Sequence, residues 1–375
     1  MTPAVLVASV RLIGGIVLML FVGGHLGNLA LGLYSLDLQE AWRIPILRPW
    51  QSYPGLALLY GALASHLALG LLAVAQRRST ASFGAADLAQ LILGLMVPPL
   101  LALHVLATRG RVALGAGHAN YGLMLVIYWK LVPFYGLKQV LVVTIAWLHG
   151  CLGLYGWLRL HRWWPAVAGF LYPLAFGLPI AALLGFVEAG QEALARYDGD
   201  PAWADTIRIG LAQLAEIRGP LAISENGFLI AYSAALLTAF AIFVARVLDH
   251  RRRQGQVSYV GGPTVAAARG LAILEISRQN DVPHASACSG RGRCGTCRVR
   301  VHAGLDQLSP IGGREAETLE AIKANGPDIR LACQAILTGA RASVERLVPA
   351  EAEEEAARQP ALYGGVFGAE PIPAA

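Results

Sequence analysis

Charged residues are so sparse in the first two-thirds of the chain that six long apolar stretches lie between them: Leu12–Leu36, Gln51–Gln76, Leu88–Thr108, Gln139–Leu158, Trp163–Val187 and Asn226–Ala245. Each reaches the roughly 20 apolar residues that a membrane-spanning helix needs. A seventh run, Tyr121–Trp129, stops at Lys130 and is too short to cross, which predicts an interfacial or re-entrant piece. After residue 250 the pattern changes. Gln256–Val260 and Thr264–Ala268 alternate on either side of Gly261-Gly262-Pro263, predicting a hairpin. Leu271–Asn280 has helical spacing, Arg298–His302 alternates again, Arg314–Lys323 reads as a polar helix, and Ser343–Leu347 as a closing strand. The expected architecture is an all-α six-helix transmembrane bundle over residues 1–250, then a small α+β domain over 255–349. Glu351–Glu355 and the Pro/Ala/Gly-rich remainder predict a solvated, disordered tail over 350–375.

Composition sharpens that division. The 375 residues are 55% hydrophobic and 14% charged, against ~25% charged in an ordinary soluble domain. Residues 1–250 hold 15 Lys/Arg and 11 Asp/Glu, whereas the 125 residues from 251 hold 15 and 13. These proportions argue against a fully soluble enzyme and exclude a disordered chain, a collagen and a secreted disulfide scaffold. The net charge of +6 sits largely beside apolar segments, as in Arg77-Arg78 and Arg251–Arg253. It orients the chain in a lipid bilayer and does not point to a nucleic-acid partner. If six spans alternate, Arg11, Arg77-Arg78, Arg159/Arg162 and Arg246/Arg251–Arg253 fall on one side, and the acid-rich loop Glu188–Gly219 on the other. Arg109, Arg111, Lys130 and Lys138 run against this trend. The triple-Arg cluster decides for both termini in the cytoplasm of a bacterial inner membrane. The N-terminus lacks a basic n-region and small-residue cleavage site, so its apolar run reads as a retained first span.

Four of the nine histidines, His25, His66, His104 and His149, lie one on each of the first four spans. Ionisable groups at membrane depth are costly and usually serve a function. Depth divides them. His25 is 14 residues beyond Arg11 and His104 is 17 beyond Asp87, or ~21 and ~26 Å at helical rise. His66 is 11 residues from Arg77 and His149 is 10 from Arg159, or ~17 and ~15 Å. Two layers of two predict bis-histidine sites, His25 with His104 and His66 with His149. No Cys, Asp or Glu lies at the right depth to complete a zinc or copper site, and Cys151 reads as a small buried hydrophobe. Two imidazoles suffice as axial ligands of a haem iron, so two haem b groups are the expected occupants. Arg109 reads either as a partner for a haem propionate or as a solvated interface arginine.

The strongest chemical signal is Cys288-Ser-Gly-Arg-Gly-Arg-Cys294-Gly-Thr-Cys297, followed by Cys333, a C-x5-C-x2-C-x35-C spacing. Three thiolates on a glycine-rich loop and one distant thiolate suit a [2Fe–2S] cluster. Structural zinc usually uses two CxxC pairs, and only one occurs here. Gly290, Gly292 and Gly295 let the backbone fold over the cluster, and Arg291 and Arg293 are expected to offset its negative charge. His284 and His302 read as packing or surface residues. With the predicted strands and helix, these cysteines make residues 255–349 a β-grasp ferredoxin.

Two resemblances rest on these residues. The four histidine-bearing spans resemble the dihaem cytochrome b anchors of the succinate dehydrogenase and fumarate reductase families, which implies haem ligation and quinone as a redox partner. Pro283–Cys288 through Cys297–Val301, following six spans, resembles the ferredoxin module of bacterial membrane-bound class III adenylate cyclases. Only 26 residues follow Pro349, too few for a cyclase catalytic domain. The leading expectation is a membrane electron-transfer protein relaying electrons between the cluster, the haems and a quinone or soluble redox protein. The alternative is a redox-sensing module acting on a separate nucleotide cyclase or other signalling partner.

Overall fold

The computed structural model describes residues 3–82, 84–251, 254–324 and 326–359. Arg252 and Arg253 of the basic cluster, and residues 360–375 of the tail, lie outside the described residues. The N-terminal part is helical: α1 Pro3–Ala30, α2 Leu36–Gln51, α3 Tyr53–Ala75, α4 Ala85–Val105, α5 Arg111–Ala113, α6 Tyr121–Val126, α7 Pro133–Leu158, α8 Trp164–Gly199, α9 Pro201–Glu216 and α10 Arg218–Arg251. Six helices among the described residues are long and apolar enough to cross a membrane, matching the six expected stretches. Helix α1 packs between α3 and α8, α4 packs on α7, and α10 lies across α3 and α4. Phe170, Ile230 and Leu237 stand about 70% exposed, as suits side chains that meet lipid rather than water.

One expectation for the helical region needs correction. The stretch 188–219, expected as a loop, is helical almost throughout. It is rich in alanine, a strong helix former, and its acids are tied down. Glu192 accepts from Arg196 at 2.5 Å and from the Leu36 amide at 2.6 Å, and Arg196 reaches Asp37 at 2.7 Å. Asp200 then caps α9, accepting from the Ala202 and Trp203 amides, with Pro201 in the first turn. The short run from Tyr121, expected as an interfacial or re-entrant piece, is a short helix buried within the protein. Leu123, Leu125 and Val126 pack against Phe186, Ala189 and Ala193 of α8 and Ile207 of α9, and the run ends in a wide helical turn over Ile127–Leu131.

The C-terminal domain comprises β1 Gln254–Tyr259, β2 Thr264–Ala268, α11 Ile273–Gln279, β3 Arg298–Ala303, α12 Gly313–Ala321, β4 Ile329–Leu331 and β5 Arg341–Arg346. Sheet order is β2-β1-β5-β3-β4, with β1 and β5 parallel and the other pairs antiparallel. Helix α11 lays Ile273, Leu274 and Ile276 on Val257, Val299, Leu331 and Val344, the β-grasp arrangement expected from the sequence. All predicted elements form; β4, too short to announce itself, was not predicted. Glu315 of α12 forms a two-bond pair with Arg330 of β4, at 2.9 Å each, and accepts the Leu331 amide at 2.8 Å.

This domain sits on one end of the helical bundle. Arg78 donates to the Gly270 carbonyl at 3.0 Å, Gln279 to Ser79 at 2.9 Å, and Arg159 to the Ala287 carbonyl at 2.8 Å. Within the tail expected to be disordered over 350–375, Glu354–Arg358 forms a short helix, α13. Arg159 pairs with Glu354 at 2.5 Å and Arg162 donates to the Arg358 carbonyl at 3.0 Å, while Ala356 is buried.

Candidate functional site

The loop between α11 and β3 is shaped by residues with positive φ: Ser289, Gly290, Gly292 and Gly295 at 56°, 84°, 63° and 70°. A Cβ on Gly295 would meet Ile322 Cδ1 at 2.5 Å, so this turn requires glycine. Thr318 of α12 donates to the Gly292 carbonyl at 2.6 Å, and the Ala332 amide donates to the Cys297 carbonyl at 3.0 Å. Those bonds bring the fourth cysteine segment against the loop. Cys288, Cys294 and Cys297 are buried and Cys333 is half-buried.

Cys288 stands within side-chain reach of Cys294 and Cys297 within reach of Cys333, and Cys288 and Cys294 also lie in the field of Cys297. The Cys294 thiol, and the backbone amides of Arg293, Arg291 and Cys294, hold Cys288 below the usual thiol range against the opposing effect of burial. Among the described residues no three His, Cys, Asp or Glu side chains converge on a single-ion position. Four thiols gathered in this way suit a two-iron cluster, in which each iron takes two protein sulfurs. Residues His284 and His302 stay outside the site. His284 is buried against Ser277 at 2.9 Å, and His302 pairs with Glu345 at 2.9 Å.

Arg291 reaches out of the loop into the bundle, pairing with Asp87 at 2.5 Å and Gln90 at 3.2 Å on α4. Burial, with Arg291, Arg314 and Arg11 nearby, lowers the Arg293 guanidinium to about 10, against the pull of Cys288.

Within the bundle the four histidines form the two pairs expected. Ring centres are 6.1 Å apart for His25 and His104, and 6.0 Å for His66 and His149. His66 Nδ1 is 3.0 Å from the Arg11 carbonyl and His149 Nδ1 is 2.8 Å from the Gln90 carbonyl. A carbonyl can only accept, so each Nδ1 carries the proton and Nε2 keeps its lone pair. The Nδ1 atoms of His25 and His104 are buried with no hydrogen-bond partner among the described residues. Immediately after His104 the helix opens into a wide turn, Leu106–Gly110, a feature frequent at functional sites. All four rings line one cavity of about 590 Å³. Arg11, Arg77, Arg291 and Arg293 line its end nearest the sheet domain, and Arg43, Arg109 and His118 its far end.

Sequence reasoning missed the residues that shape this cavity. A Cβ on Gly94 would lie 2.5 Å from His149 Cε1, and one on Gly15 3.1 Å from His66 Cε1. By contrast Gly23 faces nothing within 4 Å, and Gly150 faces Met19, not a histidine. The available signal was Gln90, a polar residue four positions before Gly94 inside an apolar span. Cys151, as expected, packs among Leu26, Trp147 and Ala182.

The comparisons with known proteins address the C-terminal domain. The family described as "2Fe-2S iron-sulfur cluster binding domain" matches residues 260–338, which include all four cysteines. A 2Fe-2S ferredoxin-5 of Aquifex aeolicus is 37% identical over 67 residues, covering 18% of this chain and 70% of that protein. A 2Fe-2S ferredoxin of Pseudomonas aeruginosa is 34% identical over 76 residues, 20% of this chain and 68% of that protein. The ferredoxin–NAD(P)(+) reductase component of a naphthalene 1,2-dioxygenase/salicylate 5-hydroxylase system of a Ralstonia species is 42% identical over 73 residues, 19% of this chain and 20% of that protein. Through its C-terminal domain the chain belongs to the 2Fe-2S ferredoxin family, and it transfers electrons through that domain.

Proposed function

We propose that the chain is a membrane electron-transfer protein in which the ferredoxin cluster exchanges electrons with two b-type haems, one between His66 and His149 and one between His25 and His104. The observation that carries this reading is the spacing of the rings. His25 with His104, and His66 with His149, would each hold one haem iron through two imidazole nitrogens, which needs the two rings of a pair close together. The two pairs stand at 6.1 and 6.0 Å. Neither pair is hydrogen-bonded ring to ring among the described residues, so mutual hydrogen bonding does not explain the approach.

The remaining fit is chemical. The rings line one cavity with basic residues at both ends, suited to two macrocycles whose carboxylates face opposite ends. A bound haem supplies one-electron iron chemistry there. The chain's own residues do the rest. The Arg11 and Gln90 carbonyls fix the ring tautomers of His66 and His149, and apolar walls from α1, α3, α4 and α7 exclude water. Arg291 spans from the cluster loop to Gln90, whose carbonyl holds His149. That short route makes His66/His149 the pair nearest the ferredoxin.

In this reading electrons enter at the cluster from a soluble redox protein and leave toward membrane quinone, since plant-type clusters sit near −400 mV, below the potential of quinones. The ferredoxin domain and both termini are cytoplasmic in a bacterial inner membrane, because Arg11, Arg78, Arg159 and Arg162 gather at the ferredoxin end. Single histidine-to-alanine variants test the assignment. His25→Ala and His104→Ala should lose the same haem, His66→Ala and His149→Ala the other, with the cluster signal kept throughout. Two haems retained in all four variants would overturn it.

A further inference from the structure

The membrane cavity has a boundary that no membrane helix supplies. At its inner end it is lined by Arg11 of α1 and Arg77 after α3, and by Arg291 and Arg293 from the iron–sulfur loop. Of these, Arg291 is balanced by Asp87 at 2.5 Å. Neither Arg11 nor Arg293 meets a carboxylate within 4 Å among the described residues. Arg77 lies in the field of Asp87 and Glu275 as well as of Arg291 and Arg11. Arg11 and Arg293, partly withdrawn from water with no carboxylate at hand, are a costly arrangement unless further negative charge joins them.

We infer that the ferredoxin loop completes an anion site inside the membrane domain: Arg11, Arg77, Arg291 and Arg293 together receive the two propionate carboxylates of the haem held by His66 and His149. The inference rests on the haem reading above and adds to it that the two domains share one cofactor site. The location is set by the backbone. Arg11 presents its carbonyl to His66 and its side chain to the cavity, and Gln90 presents its carbonyl to His149 and its side-chain oxygen to Arg291. The pocket therefore adjoins this histidine pair and not His25/His104. A planar bidentate guanidinium suits a carboxylate better than an ammonium does. An anionic lipid headgroup offers similar charge, but the site opens into the histidine-lined cavity, which favours the tetrapyrrole.

Two variants, one from each domain, test this on the full chain: Arg11→Gln in the membrane helix and Arg293→Gln in the cluster loop. Redox titration followed by visible absorption and by low-spin haem EPR reads each haem separately, and the cluster's EPR signal reports its integrity. Removing a positive charge beside a haem favours the ferric form, so its midpoint falls. Both variants should lower the same midpoint, by about tenfold in the ferrous-to-ferric ratio at fixed potential, or about 59 mV for one electron. The other midpoint should stay in place, and Arg293→Lys should restore most of the shift. Arg208→Gln, an exposed charge change away from the cavity, should move neither. Two haems with unmoved midpoints, or the two variants acting on different haems, would refute the shared site while leaving the dihaem reading intact. A lipid-filled pocket would give that unmoved result. A wild-type chain without haem would overturn both.

Discussion

Replacing Gly94 with alanine places a single methyl group against one histidine pair. The new Cβ would lie 2.5 Å from His149 Cε1, 2.8 Å from Nδ1 and 3.3 Å from Nε2. Ordinary contact distances require the ring to retreat by roughly 1 Å. It cannot do so freely, because Nδ1 is bonded at 2.8 Å to the carbonyl of Gln90, one turn earlier on the same helix. Retreat forfeits that bond, about 1 kcal/mol, and overpacks the α4–α7 contact at about 1–3 kcal/mol. The total of about 2–4 kcal/mol corresponds to roughly 30- to 1000-fold weaker occupation of the His66/His149 site. Haem content per cluster, with low-spin EPR of the purified full chain, measures the effect. The expected result is one haem signal lost or strongly depleted, the other and the cluster retained. Gly23→Ala is the control, since its Cβ meets nothing within 4 Å, and it should keep both. A Gly94→Ala protein with two haems at unchanged potentials would refute the packing argument.

Two further predictions concern the ferredoxin domain. Glu315→Ala leaves Arg330, 2% exposed at its side chain, charged and unpaired, at a cost of about 3–5 kcal/mol. Thermal bleaching of the cluster should move down by at least about 12 °C, and a shift of less than a few degrees would show that the pair is not structural. Gly295→Ala strains a residue at φ +70° and drives a methyl into Ile322. Iron and labile sulfide per chain should fall, whereas Gly312→Ala, at ordinary φ with open space, should load normally.

Features that depend on counting along one helix or one loop were legible. Charge spacing located six spans, and residue counts from Arg11, Asp87, Arg77 and Arg159 paired the histidines as the structure does. The cysteine spacing located the cluster loop, and the glycines at 290, 292 and 295, read as letting the backbone fold over, take up its left-handed turns. Features that depend on contacts between distant segments were not. Arg291 was read only as a charge beside the cluster; its partner Asp87 lies 204 positions away, and no local pattern links them. Gly94 looks like any small residue of an apolar span until His149 from α7 is laid against it. The helical course of 188–216 was obscured by its acids, whose partners Arg196, Asp37 and the Leu36 amide meet only in the fold. Strand β4 is three residues long and is defined by its register with β3, not by its own sequence.

The central claim is that one chain carries a two-iron cluster and two haems. Purification in mild detergent, followed by reduced-minus-oxidised visible spectra with haem, iron and labile-sulfide quantitation, tests it most directly. The account predicts two b-type haems together with two non-haem irons and two sulfides per chain. Two irons and two sulfides with no haem would contradict it, leaving the ferredoxin domain in place and the paired histidines without their proposed role.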